Sequence, residues 1–171
     1  VAVLDLYSAA TELLNAARSA LDTTDAGAPT ARYVSSGAPV FDCCDQLTVH
    51  VPGIADVPMP EAGMQSLAQM RPAVPIIQFV VTTLRCYPII EAGVVIKVPI
   101  AAEMDAASRI IYQDGWALWN GLRTLARSDR LFAGRPCRSV EVSPLTPTPT
   151  QGGCAGWTLA VFAELDGYAP L

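Results

Sequence analysis

From Leu6 to Leu21, apolar side chains recur at Leu6, Ala10, Leu13, Leu14, Ala17 and Leu21, while Glu12, Arg18 and Ser19 fall mostly on the other side. Residues spaced by three and four share one face of a helix, so the segment predicts an amphipathic first helix, ended by Thr24, Asp25, Gly27 and Pro29. After the Gly37 and Pro39 turn, Leu47, Val49 and Val51 alternate with Thr48 and His50, the period of a half-buried strand. Prolines at 52, 58, 60, 72 and 75 make residues 52–75 a long loop, holding at most a short helix near Glu61 to Met70. Val74 to Tyr87, rich in β-branched and aromatic residues, reads as a long strand, with a second extended piece over Val94 to Pro99 across the Glu91-Ala92-Gly93 turn. Ala101 to Arg127 carries Met104, Ala107, Ile111, Leu118, Leu122 and Leu125 on one stripe and predicts the longest helix. Gly115 and Gly121 inside it each cost about 1 kcal/mol relative to alanine, which points to close packing or a slight break there. Cys137 to Leu145 and Trp157 to Leu165 form a final pair of strands, with the Pro-, Thr- and Gly-rich residues 146–156 as a long hairpin tip.

These elements run α-β-β-α-β-β. They predict one α+β domain over residues 1–171, with a sheet of about four mainly antiparallel strands and both helices on one face. The other face must then meet water or a partner. At 171 residues and 51% hydrophobic composition the chain suffices for one sizeable core. The mean hydropathy of +0.34 does not indicate a membrane span. The run from Pro72 to Leu84 is about half of what a bilayer needs and is flanked by Arg71 and Arg85. The uncharged stretch from Val142 to Ala163 is broken by Pro144, Pro147, Pro149, Gly152, Gly153 and Gly156. Asp5 and Glu12 near the start do not suit a secretory signal, so folding in a cytoplasm is expected. Five cysteines, at 43, 44, 86, 137 and 154, cannot all pair in one chain, and reduced, mostly buried thiols are the expectation.

Chemistry has little to hold on to. Asp42, Cys43, Cys44 and His50 contain the residue types of a thiol nucleophile with its base, but an extended chain at about 3.3 Å per residue puts His50 roughly 20 Å from Cys43. Adjacent Cys43 and Cys44 lack the usual zinc-binding bite, and a single histidine rules out a Cys₂His₂ set, leaving only a Cys₄ arrangement conceivable. No phosphate-binding glycine loop, nucleophile elbow or paired-acid spacing occurs. The reading is therefore a non-enzyme with no catalytic residue, cofactor or metal. Residues 1–70 hold eight acids and two bases, a net of −6, whereas residues 71–171 hold eight acids and nine bases, a net of +1. The total of −5 disfavours nucleic acid. Arg123, Arg127, Arg130, Arg135 and Arg138 cluster beside only Asp129, and a helix macrodipole accounts for the first three. An acidic front and a basic segment also suit a head-to-tail ring, in which Asp42, Asp45 or Asp56 of one copy meets those arginines of the next. Trp116 and Trp119 share a helix side, as interface anchors or as core.

Four segments carry a resemblance: Gly37-Ala-Pro-Val-Phe-Asp-Cys-Cys-Asp-Gln-Leu-Thr-Val, Thr83-Leu-Arg-Cys-Tyr-Pro, Asp114-Gly-Trp-Ala-Leu-Trp-Asn-Gly-Leu and Gly152-Gly-Cys-Ala-Gly-Trp. In this order the chain resembles neck proteins of long, non-contractile-tailed bacteriophages of actinobacteria, the tail terminator most of all. The resemblance implies an α+β virion protein that forms a hexameric ring, caps the finished tail tube and joins it to the head connector or stopper protein. Its partners would be itself, the tail tube protein and the connector, with no sequence-specific nucleic acid and no membrane, and its place would be the neck of the virion after assembly in the host cytoplasm. The alternatives are a head-to-tail stopper or adaptor, another tail ring protein or, outside that class, a small cysteine enzyme or ligand-binding domain.

Overall fold

The computed structural model describes residues 5–39, 45–57, 74–88, 98–135, 137–151 and 153–165. Among them the elements run α1 (Leu6–Leu21), β1 (Ala31–Ser35), β2 (Gln46–Val57), β3 (Val74–Cys86), α2 (Ala101–Arg127), β4 (Cys137–Val142), β5 (Thr146–Gln151) and β6 (Cys154–Leu165). The architecture is α+β, with six strands, not about four, in one mostly antiparallel open sheet ordered β1-β2-β3-β6-β4. The added strands are β1, parallel to β2, and β5, which pairs with β6.

Both helices start where the sequence supplies a partner for their unpaired first-turn N–H groups. Asp5 accepts from the Ser8 amide at 3.1 Å, and Glu103 accepts from the Ile100 amide at 3.2 Å. The stripe of α1 is buried at Ala9, Ala10, Leu13, Ala17 and Leu21, and that of α2 at Ile111, Leu118, Leu122 and Ala126. They share one core with Leu47 and Val49 of β2, Ile77, Phe79 and Val81 of β3, and Leu159, Val161, Ala163 and Leu165 of β6. Gly121 lets the helices touch, since a Cβ there would stand 2.6 Å from that of Ala20. Gly115 does the same for the sheet: an added Cβ would lie 2.6 Å from the Trp157 indole, whose Nε1 donates to the Ile111 carbonyl at 2.7 Å. Close packing, not a break, explains both glycines, because α2 is continuous through them.

The proline-rich stretches depart from the sequence reading. Residues 52–57 continue β2 and residues 74–75 begin β3, so the predicted loop over 52–75 contains strand at both ends. Pro52 is tolerated in the register shift between His50 and Gly53, and Pro75 precedes the first residue of β3 that pairs with β6. The short helix expected near 61–70 lies outside the described residues, as does most of the extended piece expected over 94–99, whose described residues 98–99 are in no strand. The hairpin tip expected at 146–156 is instead mostly the edge strand β5, and β6 begins at Cys154 rather than Trp157. Pro147 fits there because an edge strand leaves half its amides without ladder partners. β4 and β5 follow one another along the same edge of β6, joined at Ser143, which donates from its amide to Ala160 and accepts the Ala160 amide on its hydroxyl, each at 2.9 Å.

The face away from the helices is not simply open. Gln46, Thr48, Thr82 and Leu84 on it are buried. Thr158 shares hydroxyl hydrogen bonds of 3.2 Å with both Thr82 and Thr148, so the sheet satisfies part of its own polarity across three strands.

Candidate functional site

The densest group of charges joins three of the sequence segments that carry the resemblance. Arg85, helix-facing near the end of β3, reaches beneath α2, where Nε donates to Asp114 Oδ2 at 2.6 Å and Nη1 to Asp45 Oδ1 at 2.7 Å. Its Nη2 donates to the Gly27 carbonyl and, at 3.4 Å, to Asp114 Oδ1. The Thr24 hydroxyl adds a 3.3 Å bond to Asp114, and the Thr30 amide and hydroxyl bond Asp45 at 3.0 and 2.9 Å. The side chains of Asp114 and Arg85 are 1% and 11% exposed. Burial draws the Asp45 carboxyl upward, but the Thr30 hydrogen bonds and Arg85 outweigh it and hold the group below its ordinary value. Burial likewise opposes the charge on Arg85, and the two carboxylates reverse that and raise it. The cluster thus closes upon itself, tying the α1–β1 connection, β3 and α2 together. A cleft of about 370 Å³ beside it, lined by Ala106, Ala107 and Ile110, meets polar groups already committed to each other, which is poor chemistry for a ligand.

The basic segment divides into two parts. Arg135 turns inward to Glu12 Oε2 at 3.0 Å and the Ser8 hydroxyl at 2.9 Å, while Glu12 Oε1 accepts the Phe132 amide. Phe132 holds a left-handed φ of 61°, kept by that bond and by its ring packing 5.2 Å from Phe79. Arg138 pairs with Glu164 at 3.4 Å. Arg127 and Arg130 are exposed, and Arg123 lies 4.6 Å over the Trp119 ring. On the acidic side, Asp45 is engaged within its own chain, Asp42 lies outside the described residues, and Asp56 stands opposite Pro75 with its side chain undescribed.

A surface on α2 stands out by its exposure. Tyr112 and Trp116 are 68% and 64% exposed, Trp119 is half-buried, and the Trp116 and Trp119 rings are 5.7 Å apart. The Tyr112 ring also lies 6.0 Å from that of Trp157, tilted by 52°, placing this aromatic row on the flank of α2 nearest the β5–β6 edge. Across the sheet, beside β1, an apolar recess of about 370 Å³ is lined by Leu6, Tyr7, Ala10, Val34 and Val51. Sequence spacing identified Trp116 and Trp119 but missed Tyr112, which lies four residues before Trp116 on the same side.

Of the Asp42, Cys43, Cys44 and His50 group that the sequence reading sets aside as a nucleophile site, only His50 is among the described residues. His50 sits on β2 on the face away from the helices, its Nδ1 buried without a hydrogen-bond partner among the described residues. The expectation of five reduced thiols fails at Cys154, which is disulfide-bonded; Cys86 and Cys137 are free. Odd parity limits how many cysteines pair, not whether any do. Among the described residues no three His, Cys, Asp or Glu side chains gather as a metal site, and no helix is long and apolar enough to cross a membrane.

Burial holds the His50 imidazole below its usual 6.5. The unfolded chain then takes up a proton near pH 6.5 that the folded chain refuses, so stability falls as pH drops below that value. This is the only histidine. Urea midpoints measured at about pH 7.5 and about pH 5.5 should separate in the wild type and draw together in His50→Gln, and an equal separation in both would show that another group titrates. No protein-family model matches the chain, and no curated protein does so either.

Proposed function

We propose that this chain is a structural subunit that assembles with copies of itself into a ring at the neck of a long, non-contractile phage tail, where it caps the tail tube and joins it to the head connector. The observation that carries the assembly reading is the pair of solvent-facing rings Tyr112 and Trp116, flanked by half-buried Trp119 with Arg123 over its ring. Large aromatic side chains and arginine are the residue types that supply most of the energy at protein interfaces, and holding two such rings in water serves no folding purpose. The row lies toward one edge of the sheet and the apolar recess beside β1 toward the other. A head-to-tail ring requires two different patches of this kind on each copy. Exposed Arg127 and Arg130 extend the same flank and meet acids of the neighbour, with Asp45 and Arg135 reserved for internal pairs. The phage neck and the station at the tail both rest on the sequence resemblance alone.

Light-scattering mass and particle imaging of the full chain test this reading. A closed ring is expected for the wild type. Tyr112→Ala with Trp116→Ala should give a folded monomer, since losing a central aromatic anchor costs about 2 kcal/mol or more at each contact, roughly 30-fold in affinity. A wild type that stays monomeric at high concentration, alone and with tail tubes, would end the proposal. A ring unaffected by the double variant would move the interface elsewhere.

A further inference from the structure

The exposed rings of α2 have a counterpart on the other side of the molecule. Leu6, Tyr7 and Ala10 of α1, Val34 of β1 and Val51 of β2 line the apolar recess of about 370 Å³, with exposed Ser36 beside them. A hollow of that size lies within the range that takes a compact organic group, about 300–1,000 Å³. Tyr7 is 70% exposed, so this region shows apolar surface to water just as Tyr112 and Trp116 do. One surface projects and the other is hollow. The recess stands at the β1 end of the order β1-β2-β3-β6-β4, whereas the rings stand on the flank of α2 nearest β5 and β6. They differ in charge as well. Exposed Arg109 comes seven residues before Trp116 and Arg123 seven after it, with exposed Asp105 one turn beyond Arg109, while the recess begins at Leu6, next to exposed Asp5. The lining of the recess comes from residues 1–70, whose net charge is −6, and the rings come from residues 71–171, whose net charge is +1.

We infer that Trp116 of one copy, with Tyr112 beside it, seats in the recess lined by Leu6, Val34 and Val51 of the next copy, a pairing that rests on the ring proposed above and specifies its contact. An indole suits the place because it is apolar over most of its area and carries a single N–H donor, for which the Ser36 hydroxyl is an acceptor. Seating it removes apolar surface of both copies from water at once. The flanking arginines bring positive charge to the acidic part of the neighbour. They also disfavour the alternative in which two arginine-flanked rows pack on each other, since like charges would then meet. Because projection and hollow lie at opposite ends of the sheet, each copy uses one of each, and the contact runs head to tail.

Two substitutions in the full chain, one on each side of the contact, test this pairing. Trp116→Ala removes the projection and leaves the recess, whereas Ser36→Arg sets a long cation over the recess and leaves the projection. Both positions are exposed, so both variants should melt close to wild type. Tyr112→Ala and Tyr7→Arg, also at exposed positions, repeat the test if either chain fails to fold. In sedimentation velocity, under conditions where the wild type is a ring, each variant alone should be monomeric, its self-association weakened at least about tenfold by the loss of one anchor contact. Their equimolar mixture should give a dimer and nothing larger, because only the Trp116 of the Ser36→Arg copy and the recess of the Trp116→Ala copy remain intact. The inference is overturned if Ser36→Arg still forms rings or if the mixture stays monomeric, and in both cases a wild-type ring would stand with its contact elsewhere. A wild type that never assembles would end the ring and this pairing together.

Discussion

Replacing Gly156 with alanine should lower stability by about 3 kcal/mol or more, enough to leave much of the chain unfolded at moderate temperature, because the damage falls on backbone. Gly156 pairs with Leu84 between β3 and β6, and a Cβ there would stand 1.9 Å from the Thr83 carbonyl oxygen and 2.8 Å from its carbon. A side chain can rotate out of such a clash, but a carbonyl in the middle of a ladder cannot move without parting the strands. β6 pairs on its other edge with β5 at the same residue, so displacement would also disturb Thr148. Gly115→Ala should cost less, since the Trp157 ring it meets is a side chain, though one held by its bond to Ile111. Gly37→Ala meets nothing within 4 Å and should stay within about 0.5 kcal/mol of wild type. Thermal melts of the three variants give the ranking, and a Gly156→Ala protein as stable as Gly37→Ala would mean that β3 and β6 lie farther apart than described.

The helices were legible in the sequence because a stripe at 3.6-residue spacing survives whatever the rest of the fold does. Gly115 and Gly121 were legible as sites of close approach, but not what approaches them, since Trp157 and Ala20 lie far away in the chain. β1 escaped because a short strand paired on one side only shows no clean alternation, and its burial does not alternate either. β5 escaped because Thr-Pro-Thr-Pro-Thr-Gln has the composition of a loop, and only its place along β6 makes it a strand. The Arg85 cluster was hidden by separation, its partners being 29 and 40 residues away. Two signals for it were present: an arginine near the end of an uncharged, β-branched strand, and Asp114 set within the apolar stripe of α2 between Ile111 and Leu118. A charge on an apolar face requires a partner there. Contacts of Cys86 with Cys154, Gly156 with Thr83, Trp157 with Gly115, and Arg85 with Asp45 and Asp114 link all four segments of the sequence resemblance. Their residues hold strands and helices together, which gives these positions a structural reason independent of any catalytic one.

Arg85→Met should cost about 3–5 kcal/mol, since it removes the cation and leaves a buried carboxylate behind. Asp114 would keep only the Thr24 hydroxyl as a side-chain partner among the described residues. Asp114→Leu should cost less, because Arg85 retains Asp45 and the Gly27 carbonyl. In the double variant the buried charges are gone together and two apolar side chains of similar volume fill the space, an exchange that is often nearly neutral in other proteins. Asp45 would remain, but it is 34% exposed and keeps both bonds from Thr30, so losing Arg85 costs it little. The double variant should accordingly be more stable than Arg85→Met alone. The pH dependence should shift as well. Asp45 is held below the ordinary 3.8, so it contributes stability that is present above that value and lost as pH falls through its lower folded value. Removing Arg85 takes away part of that depression and should flatten the acid limb of the stability curve. Urea unfolding of the wild type, both single variants and the double variant, repeated along an acid series, reads the coupling directly. Strictly additive losses would mean that Arg85 and Asp114 stabilise the fold separately, and that their close contact carries no energy of its own.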